Sequence, residues 1–530
     1  MSLLNYHQFP WWNPWEAGGT PLYANPQLGV FSIQTVFVCI FGVVRGLKYS
    51  LIIYTFLGYG SMYVLLRKYF KIEAWVATLL GLLWIFSSFF VFHIPSHYTF
   101  VWYMMAPFFL YLALTLDSVR KGIYFGLAFA IMGLSQIHNA FFQIGLVCII
   151  TLLVRLIRMR RSRRQFLLGI AAGAGVFLLL AGHRLLFTIQ NVHDFSREIA
   201  DPAPSVLKSA VAILLPYPRQ HPLPEITLPT NVPFGWGEMT ATIGICATLA
   251  AFLSLLFIIF QSHHSWRLYV KKFALPNIVL LIGLFVFLLG CGAFSRYAPY
   301  NLLKHTPVFG QMRVSSRWFL GVDLMLLIFI GLVMKTAPQR SFYRFTIRAL
   351  LVMGVAETFL LNFGYQNILF AHQIVVAPKP ITAYTFEQTG YFGETRNLPR
   401  GQVIPDDGHM PQFYREYEAT TFNTGVLYAN DSLVNLGAEP SPRCSTADGC
   451  KFVQSGNAVV TYWSPDKIVL RRTKPGRIEL DMNNSNYFVI NGHRNSSIRV
   501  AEPYEPFYLP VSESTTVVTL EVKPSLTKPL

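Results

Sequence analysis

The feature that most restricts how this chain can fold is a series of apolar runs. Each is close to the length that crosses a bilayer as a helix, roughly 17–25 residues. They lie near 49–66, 74–91, 98–116, 122–138, 139–157, 165–182, 238–260, 275–290, 316–334 and 345–364. Only helices and closed barrels satisfy their backbone groups in lipid. The runs therefore predict a polytopic α-helical membrane protein with about ten transmembrane helices. A further stretch, 28–44, reads as a re-entrant or interfacial helix. Composition agrees: charged residues make up 13% of the 530, against about 25% in a soluble domain. The 44 Phe and 26 Tyr suit a chain that lines membrane interfaces with rings. Met1-Ser2-Leu3-Leu4 leads straight into polar and aromatic residues, so no cleavable signal peptide is visible.

The net charge of +17 raises nucleic acid as a partner, and its distribution argues against one. From Ala371 onward 15 Lys/Arg face 16 Asp/Glu, which leaves 28 Lys/Arg and 10 Asp/Glu in the first 370 residues. That excess sits in short loops: Arg67/Lys68/Lys71, Arg120/Lys121, Arg155 to Arg164, Arg267/Lys271/Lys272 and Lys335 to Arg348. Each neighbouring pair of loops is separated by two apolar runs, so all five share one side. The positive-inside rule makes that side cytoplasmic. Residues 1–48 then form an outside first loop, 49–365 the transmembrane helical domain, and 366–530 an outside domain.

The tail reads as β structure. AVVTYWSPDKIVLRR and RIELDMNNSNYFVI are β-branched and aromatic runs interrupted by turn residues, and Thr515 to Val522 alternates apolar and polar positions. A β-sandwich-like soluble domain is the economical architecture. Cys444 and Cys450 bracket a short CSTADGC loop on the oxidising side, where a disulfide is plausible. The other four cysteines lie in or beside apolar runs, as packing residues do. No internal repeat is visible, which weakens a transporter reading.

Chemistry-bearing residues gather on the outside face. Phe9 to Gln27 holds Trp11, Trp12, Asn13, Trp15, Glu16, Asn25 and Gln27, closely punctuated by Pro and Gly. The Trp cluster suits either a sugar-stacking surface or an aromatic belt. Glu16 is the only acid in the first 72 residues, a base or metal ligand or simply a solvated loop acid. Glu238 opens the run at 238–260, where it contacts an acceptor or metal or caps its helix. His93, His97 and His138 lie in short turns and are candidates to orient substrate. Arg313 and Arg317 flank a span, as phosphate-holding or snorkelling residues do. Asp323 and Glu357 are isolated acids inside spans. No phosphate-binding glycine loop, HExxH or paired CxxC is present.

The segment WWNPWEAGGTPLYANPQLGVFSI resembles the first outside loop of the YfhO-like bacterial membrane proteins, members of the GT-C superfamily of glycosyltransferases. Later landmarks agree in order. His93 precedes a span with an internal Pro107, and His138 follows Gly133-Leu134-Ser135. Pro307 to Trp318 looks like the family's PxFxxxRxxxRF segment. The tail, with Tyr487 and the turn Asn491-Gly492, resembles the domain that closes such chains. The resemblance implies transfer of a sugar from a polyprenyl-phosphate carrier to a glycan or glycolipid acceptor of the cell envelope. The reaction would take place on the outer face of a bacterial inner membrane, with the C-terminal domain extracytoplasmic.

An outside acid, Glu16 or Glu238, would act as base or through a divalent metal such as Mg or Mn. Arg313 and Arg317 would hold the lipid phosphate, with Trp11, Trp12, Asn13, Trp15, Asn25, Gln27, His93, His97 and His138 at the substrate. One departure stands out: family members carry a transmembrane helix and an acid before the WNP segment, and here Trp11 follows almost at once. The expectation is a chain truncated at its start; the alternative is a copy that lacks the usual catalytic acid, in which Glu16 substitutes or the protein is inactive. Two competing readings are a lipid or polysaccharide transporter, for which Asp323 and Glu357 would matter, and a non-catalytic envelope-assembly scaffold.

Overall fold

The structure is a computed structural model that describes residues 2, 6–13, 20–26, 29–96, 98–137, 139–158, 163–194, 206, 210, 240–262, 266–306, 309, 314–338, 341–370, 385–389, 424–426, 450–451, 453, 455–480, 482, 487–495 and 507–524. Among the described residues seven helices are long and apolar enough to cross a membrane: Arg45–Tyr69, Ala74–Val91, Asn139–Arg158, Arg163–Ile189, Phe273–Gly290, Ser315–Thr336 and Phe342–Asn362. Thr99–Thr115 and Ile245–Gln261 are apolar but shorter. The expected run at 122–138 falls on the 17-residue helix Val119–Ser135. The protein is thus a multi-pass helical membrane protein with a small β region toward its C-terminus.

Contacts divide the chain into two units that are discontinuous in sequence. One comprises Met1–Val30, His183–Arg197 and Val375–Leu530; the other comprises Phe31–Gly182 and Glu198–Ile374. Residues 1–30 and 183–197 are thus grouped with the β region.

The helical unit begins with α1 (Ile33–Phe41), capped by Ser32, whose hydroxyl accepts from Thr35 N at 3.1 Å. At nine residues α1 is about 13 Å long, too short to span. Gly42, at φ 78°, ends it and starts α2 (Val43–Val64). Next come α3 (Ala74–Ile85) and α4 (Ser88–Ser96), two halves of one expected span broken at Phe86 and Ser87. A 3₁₀ helix, Tyr98–Met105, runs into α5 (Ala106–Thr115), followed by α6 (Val119–Ser135), α7 (Asn139–Arg158) and α8 (Arg163–Asp194). The rest are α9 (Ile245–Ser262), α10 (Trp266–Gly290), α11 (Pro299–Lys304), α12 (Phe319–Thr336) and α13 (Phe342–Phe370).

Small residues set the closest crossings, as expected where lipid supplies no hydrophobic drive between helices. Gly122 and Gly126 of α6 lie against Gly169 and Gly173 of α8, and a Cβ on Gly173 would come within 2.7 Å of the Gly122 carbonyl. A Cβ on Gly321 of α12 would meet Val286 of α10 at 2.7 Å. α12 is buried almost all round.

Several of the basic loop residues turn out to bind backbone at helix ends. Arg155 donates to Ala113 O and Leu116 O at 2.7 and 2.6 Å, closing the C-terminus of α5. Lys335 donates to Phe70 O at 2.8 Å, Arg67 to Ile72 O at 2.6 Å, and buried Arg344 pairs with Glu73. The loops at 67–73 and 335–348 therefore share one end of the unit, as the charge pattern predicts.

The helix α9 starts at Ile245, not near 238. Its first two amides, Ile245 N and Cys246 N, donate to the two carboxylate oxygens of Glu357 at 2.7 and 2.9 Å. The cap is thus supplied by α13 rather than by Glu238, which lies outside the described residues.

In the other unit, β1 (Trp12–Asn13) pairs antiparallel with β2 (Thr20–Pro21). A three-stranded sheet joins β3 (Thr385–Thr389), β4 (Thr424–Val426) and β5 (Cys450–Lys451) in the order β4-β3-β5. The main sheet is built from β6 (Ala458–Ser464), β7 (Lys467–Arg472), β9 (Phe488–Ile490), β10 (His493–Arg494) and β12 (Val517–Val522), in the antiparallel order β10-β9-β12-β7-β6. The strands β8 (Glu479–Leu480) and β11 (Phe507–Tyr508) form a separate pair.

Alternation fixes the inner face. Val518 opposes Leu470 and Leu520 opposes Ile468, all buried, while Glu521 opposes Lys467 on the other face and pairs with it at 2.9 Å. Asn491 and Gly492, with φ 49° and 83°, make the tight turn of the β9–β10 hairpin. The core of this unit also takes in Trp12, Tyr23 and Phe187.

Candidate functional site

Of the residues singled out in the sequence, Trp15, Glu16, Gln27, His97, His138, Glu238 and Arg313 lie outside the described residues, as does Cys444. The others fall into two groups, one in each unit.

The first group is Trp11, Trp12, Asn13 and Asn25. The backbone of β1 and β2 folds the segment back on itself, with Leu22 N donating to Trp11 O at 2.9 Å. Trp12 is 2% exposed and meets Phe488 edge-on at 4.9 Å. Such burial makes it a core residue of the β unit. Trp11 packs edge-on against Tyr23 and Phe187, at 5.3 and 5.9 Å. Gln8 ties the segment to the β6–β7 turn, donating to Ser464 Oγ at 3.0 Å and accepting from Asp466 N at 3.3 Å.

Three residues that the sequence reading passed over join this group. The Tyr23 hydroxyl hydrogen-bonds His183 Nε2, and buried Arg184 lies 5.7 Å from the Tyr23 ring and donates to the Asn25 carbonyl at 3.4 Å. Burial raises the Tyr23 phenol above its ordinary range, and the Arg184 charge offsets part of that. Tyr23 is therefore a neutral phenol at physiological pH. The available signal was Arg184 itself, a cation in an otherwise apolar helix.

The second group joins His93 to Arg317. His93 is 2% exposed and stacks on Phe89 with centroids 4.1 Å apart. Its Nδ1 lies 2.8 Å from Phe89 O. A carbonyl only accepts, so Nδ1 carries the proton and, in the neutral ring, Nε2 presents a lone pair. The His93 ring also tilts against Phe100 at 5.1 Å, and the Arg317 guanidinium lies over that same Phe100 at 4.8 Å. Phe100 thus brings together two residues that lie 224 positions apart in sequence. The contact is a cation–π pair in a desolvated setting, the stronger kind.

Beside Arg317 lies a cavity of about 70 Å³, lined mainly by aliphatic and aromatic side chains of α3, α5, α7, α10 and α12. Its polar wall consists of Arg317, Trp318, Gln143 and Tyr103. The Tyr103 hydroxyl donates to Gln143 Oε1 at 2.7 Å, which leaves the carboxamide NH₂ as the donor of that pair. Trp318 Nε1 is buried with no acceptor among the described residues. The cavity wall carries a fixed cation and N–H donors but no carboxylate. The surface facing the cavity is almost wholly apolar, which suits a hydrocarbon chain. The volume is about half of the ~150 Å³ that admits benzene in a dry cavity, so no more than a short piece of hydrocarbon fits inside it.

Among the described residues no group of three His, Cys, Asp or Glu is placed to hold a metal ion. No family model matches the chain, and no curated protein matches it.

Proposed function

We propose that this protein is a membrane glycosyltransferase of the GT-C type. It would move a sugar from a polyprenyl-phosphate donor to a cell-envelope acceptor on the outer face of a bacterial inner membrane. The observation that carries the reading is buried Arg317, set over Phe100 at the wall of an apolar cavity that has no carboxylate in its lining.

In this scheme the isoprenoid tail enters the cavity and Arg317 holds the phosphate. Stacking on Phe100 fixes the guanidinium plane, and a phosphate would be met by the N–H edge of that plane. As the glycosidic bond breaks, negative charge grows on the phosphate, and a cation already in place stabilises it without reorganisation. The acid that activates the acceptor hydroxyl would be Glu16 or Glu238.

The competing transport reading loses one of its two residues, because both oxygens of Glu357 are engaged as a helix cap. The test is binding of farnesyl phosphate and of neutral farnesol to the full chain in nanodiscs, followed through Trp fluorescence. Arg317→Ala is expected to weaken farnesyl phosphate at least about tenfold, the worth of roughly 1.4 kcal/mol, and to leave farnesol unchanged. Equal binding of both ligands, or no effect of Arg317→Ala, would overturn the reading. Tight binding with no sugar transfer from a polyprenyl-phosphate donor would point to a scaffold.

A further inference from the structure

Away from the Arg317 cavity, one acid sits where a membrane protein rarely tolerates one. Asp323, in the second turn of α12, has 0% exposure, and neither carboxylate oxygen has a hydrogen-bond donor in place among the described residues. Beside it lies Ser87, also 0% exposed, whose hydroxyl likewise has no hydrogen-bond partner among the described residues.

Ser87 stands at the break between α3 and α4. The break is held by its own polar set: Asn362 donates to Phe86 O at 2.6 Å, Ser88 N to Thr242 O at 3.0 Å, and Thr242 N to Ser88 Oγ at 2.7 Å. Interrupted membrane helices are where coupling ions commonly bind, because the freed backbone and side chains line a polar spot in lipid.

An ionised carboxylate enclosed there would have no compensating charge. Of the elements packed against α12, α3 has no ionisable side chain and α9 has only Cys246. The ionisable residues of α10 are Arg267, Tyr269, Lys271 and Lys272, all near its start, and the 3₁₀ turn Ser315–Trp318 contributes Arg317. His93, on α4 after Ser87, is stacked on Phe89. Among the described residues no charged side chain hydrogen-bonds Asp323. A buried unpaired charge costs several kcal/mol, so the group must take up a cation. A hard metal ion collects about six oxygen ligands, while Asp323 and Ser87 together offer three. The proton alone is satisfied by one bond to each.

We propose that Asp323 and Ser87 form a proton-binding site in the interior of the membrane domain, in which Asp323 is a neutral carboxylic acid donating to the Ser87 hydroxyl. The site uses none of the residues assigned to lipid phosphate and stands or falls independently of that assignment.

The test is infrared difference spectroscopy on the full chain in nanodiscs, with ¹³C-aspartate labelling and the Asp323→Asn variant as the difference partner. At pH 7 the difference should show a protonated carboxyl C=O band that shifts in D₂O, with no matching carboxylate band. Ser87→Ala should move that band to higher frequency, as loss of its hydrogen bond requires. Asp323→Asn should melt within a few degrees of the unmodified chain, since a neutral amide replaces a neutral acid. A carboxylate band from Asp323 at pH 7, in sodium-free buffer or only on adding sodium, would overturn the assignment. So would a large loss of stability in Asp323→Asn, which would mean a necessary charge had been removed.

Discussion

The Glu357 cap gives the sharpest quantitative expectation. Two backbone N–H groups at the start of α9 donate to one carboxylate, at 2.7 and 2.9 Å. Hydrogen bonds to a charged group contribute roughly 1.5–3 kcal/mol each, which bounds the pair at about 3–6 kcal/mol. Ile245 is 43% exposed, so its amide recovers part of the loss elsewhere, and the lower figure applies. Glu357→Ala should therefore destabilise the helical unit by about 3 kcal/mol. Glu357→Gln keeps one carbonyl acceptor and should lose about half of that. Gly244 sets the approach: at φ 89°, a Cβ there would lie 3.1 Å from Glu357 Oε2. Gly244→Ala should thus reproduce much of the Glu357→Ala effect. The assay is reversible unfolding in mixed micelles, combined with hydrogen exchange at the Ile245 and Cys246 amides. If Glu357→Ala stays within about 0.5 kcal/mol of the unmodified chain, as surface changes do, the capping argument is wrong. It is also wrong if Gln proves as damaging as Ala.

Three other expectations are simpler to state. Gly122→Leu places a side chain into the Gly169 backbone and should cost about 1–3 kcal/mol or more by overpacking; an unchanged melting temperature would refute the close crossing. Asp466 should make the β unit less stable as pH rises. Burial lifts its carboxyl to about 7 from an ordinary 3.8, so the folded state holds a proton that the unfolded chain has released. The stabilising difference is greatest below 3.8 and is lost as pH rises through 7. Asp466→Asn should flatten that slope and gain stability at pH 8, and an identical pH profile would refute the assignment. Arg155→Ala should loosen the C-terminus of α5 by about 1–3 kcal/mol, read as faster exchange near Leu116; unchanged exchange there would contradict the cap.

What the sequence made legible follows from periodicity and length. Apolar runs mark helices because lipid forces each segment to satisfy its own backbone, and the loop charges correctly place 67–73 and 335–348 at one end. The Asn491-Gly492 hairpin was readable because few residue pairs adopt that turn. Long-range pairing was not legible. Nothing local says that Glu357 caps a helix beginning at Ile245, or that Phe100 seats both His93 and Arg317. The Gly122/Gly126 and Gly169/Gly173 spacings were visible, but which helices they join is a tertiary fact. Trp11 and Trp12 read as a sugar-stacking surface or an interfacial belt, and only the three-dimensional arrangement shows Trp12 inside the core formed with Phe488. Most of the outside-loop candidates, Glu16 and Glu238 among them, lie outside the described residues.

The most direct test of the lipid-phosphate assignment is photo-crosslinking with an isoprenoid phosphate that carries a diazirine near the head of its tail. The expected adducts map to the cavity wall, at Ile144 to Cys148 and Leu320 to Met325, and disappear in Arg317→Ala. Adducts spread over lipid-facing positions such as Leu179 and Phe260, and equally strong in Arg317→Ala, would contradict it.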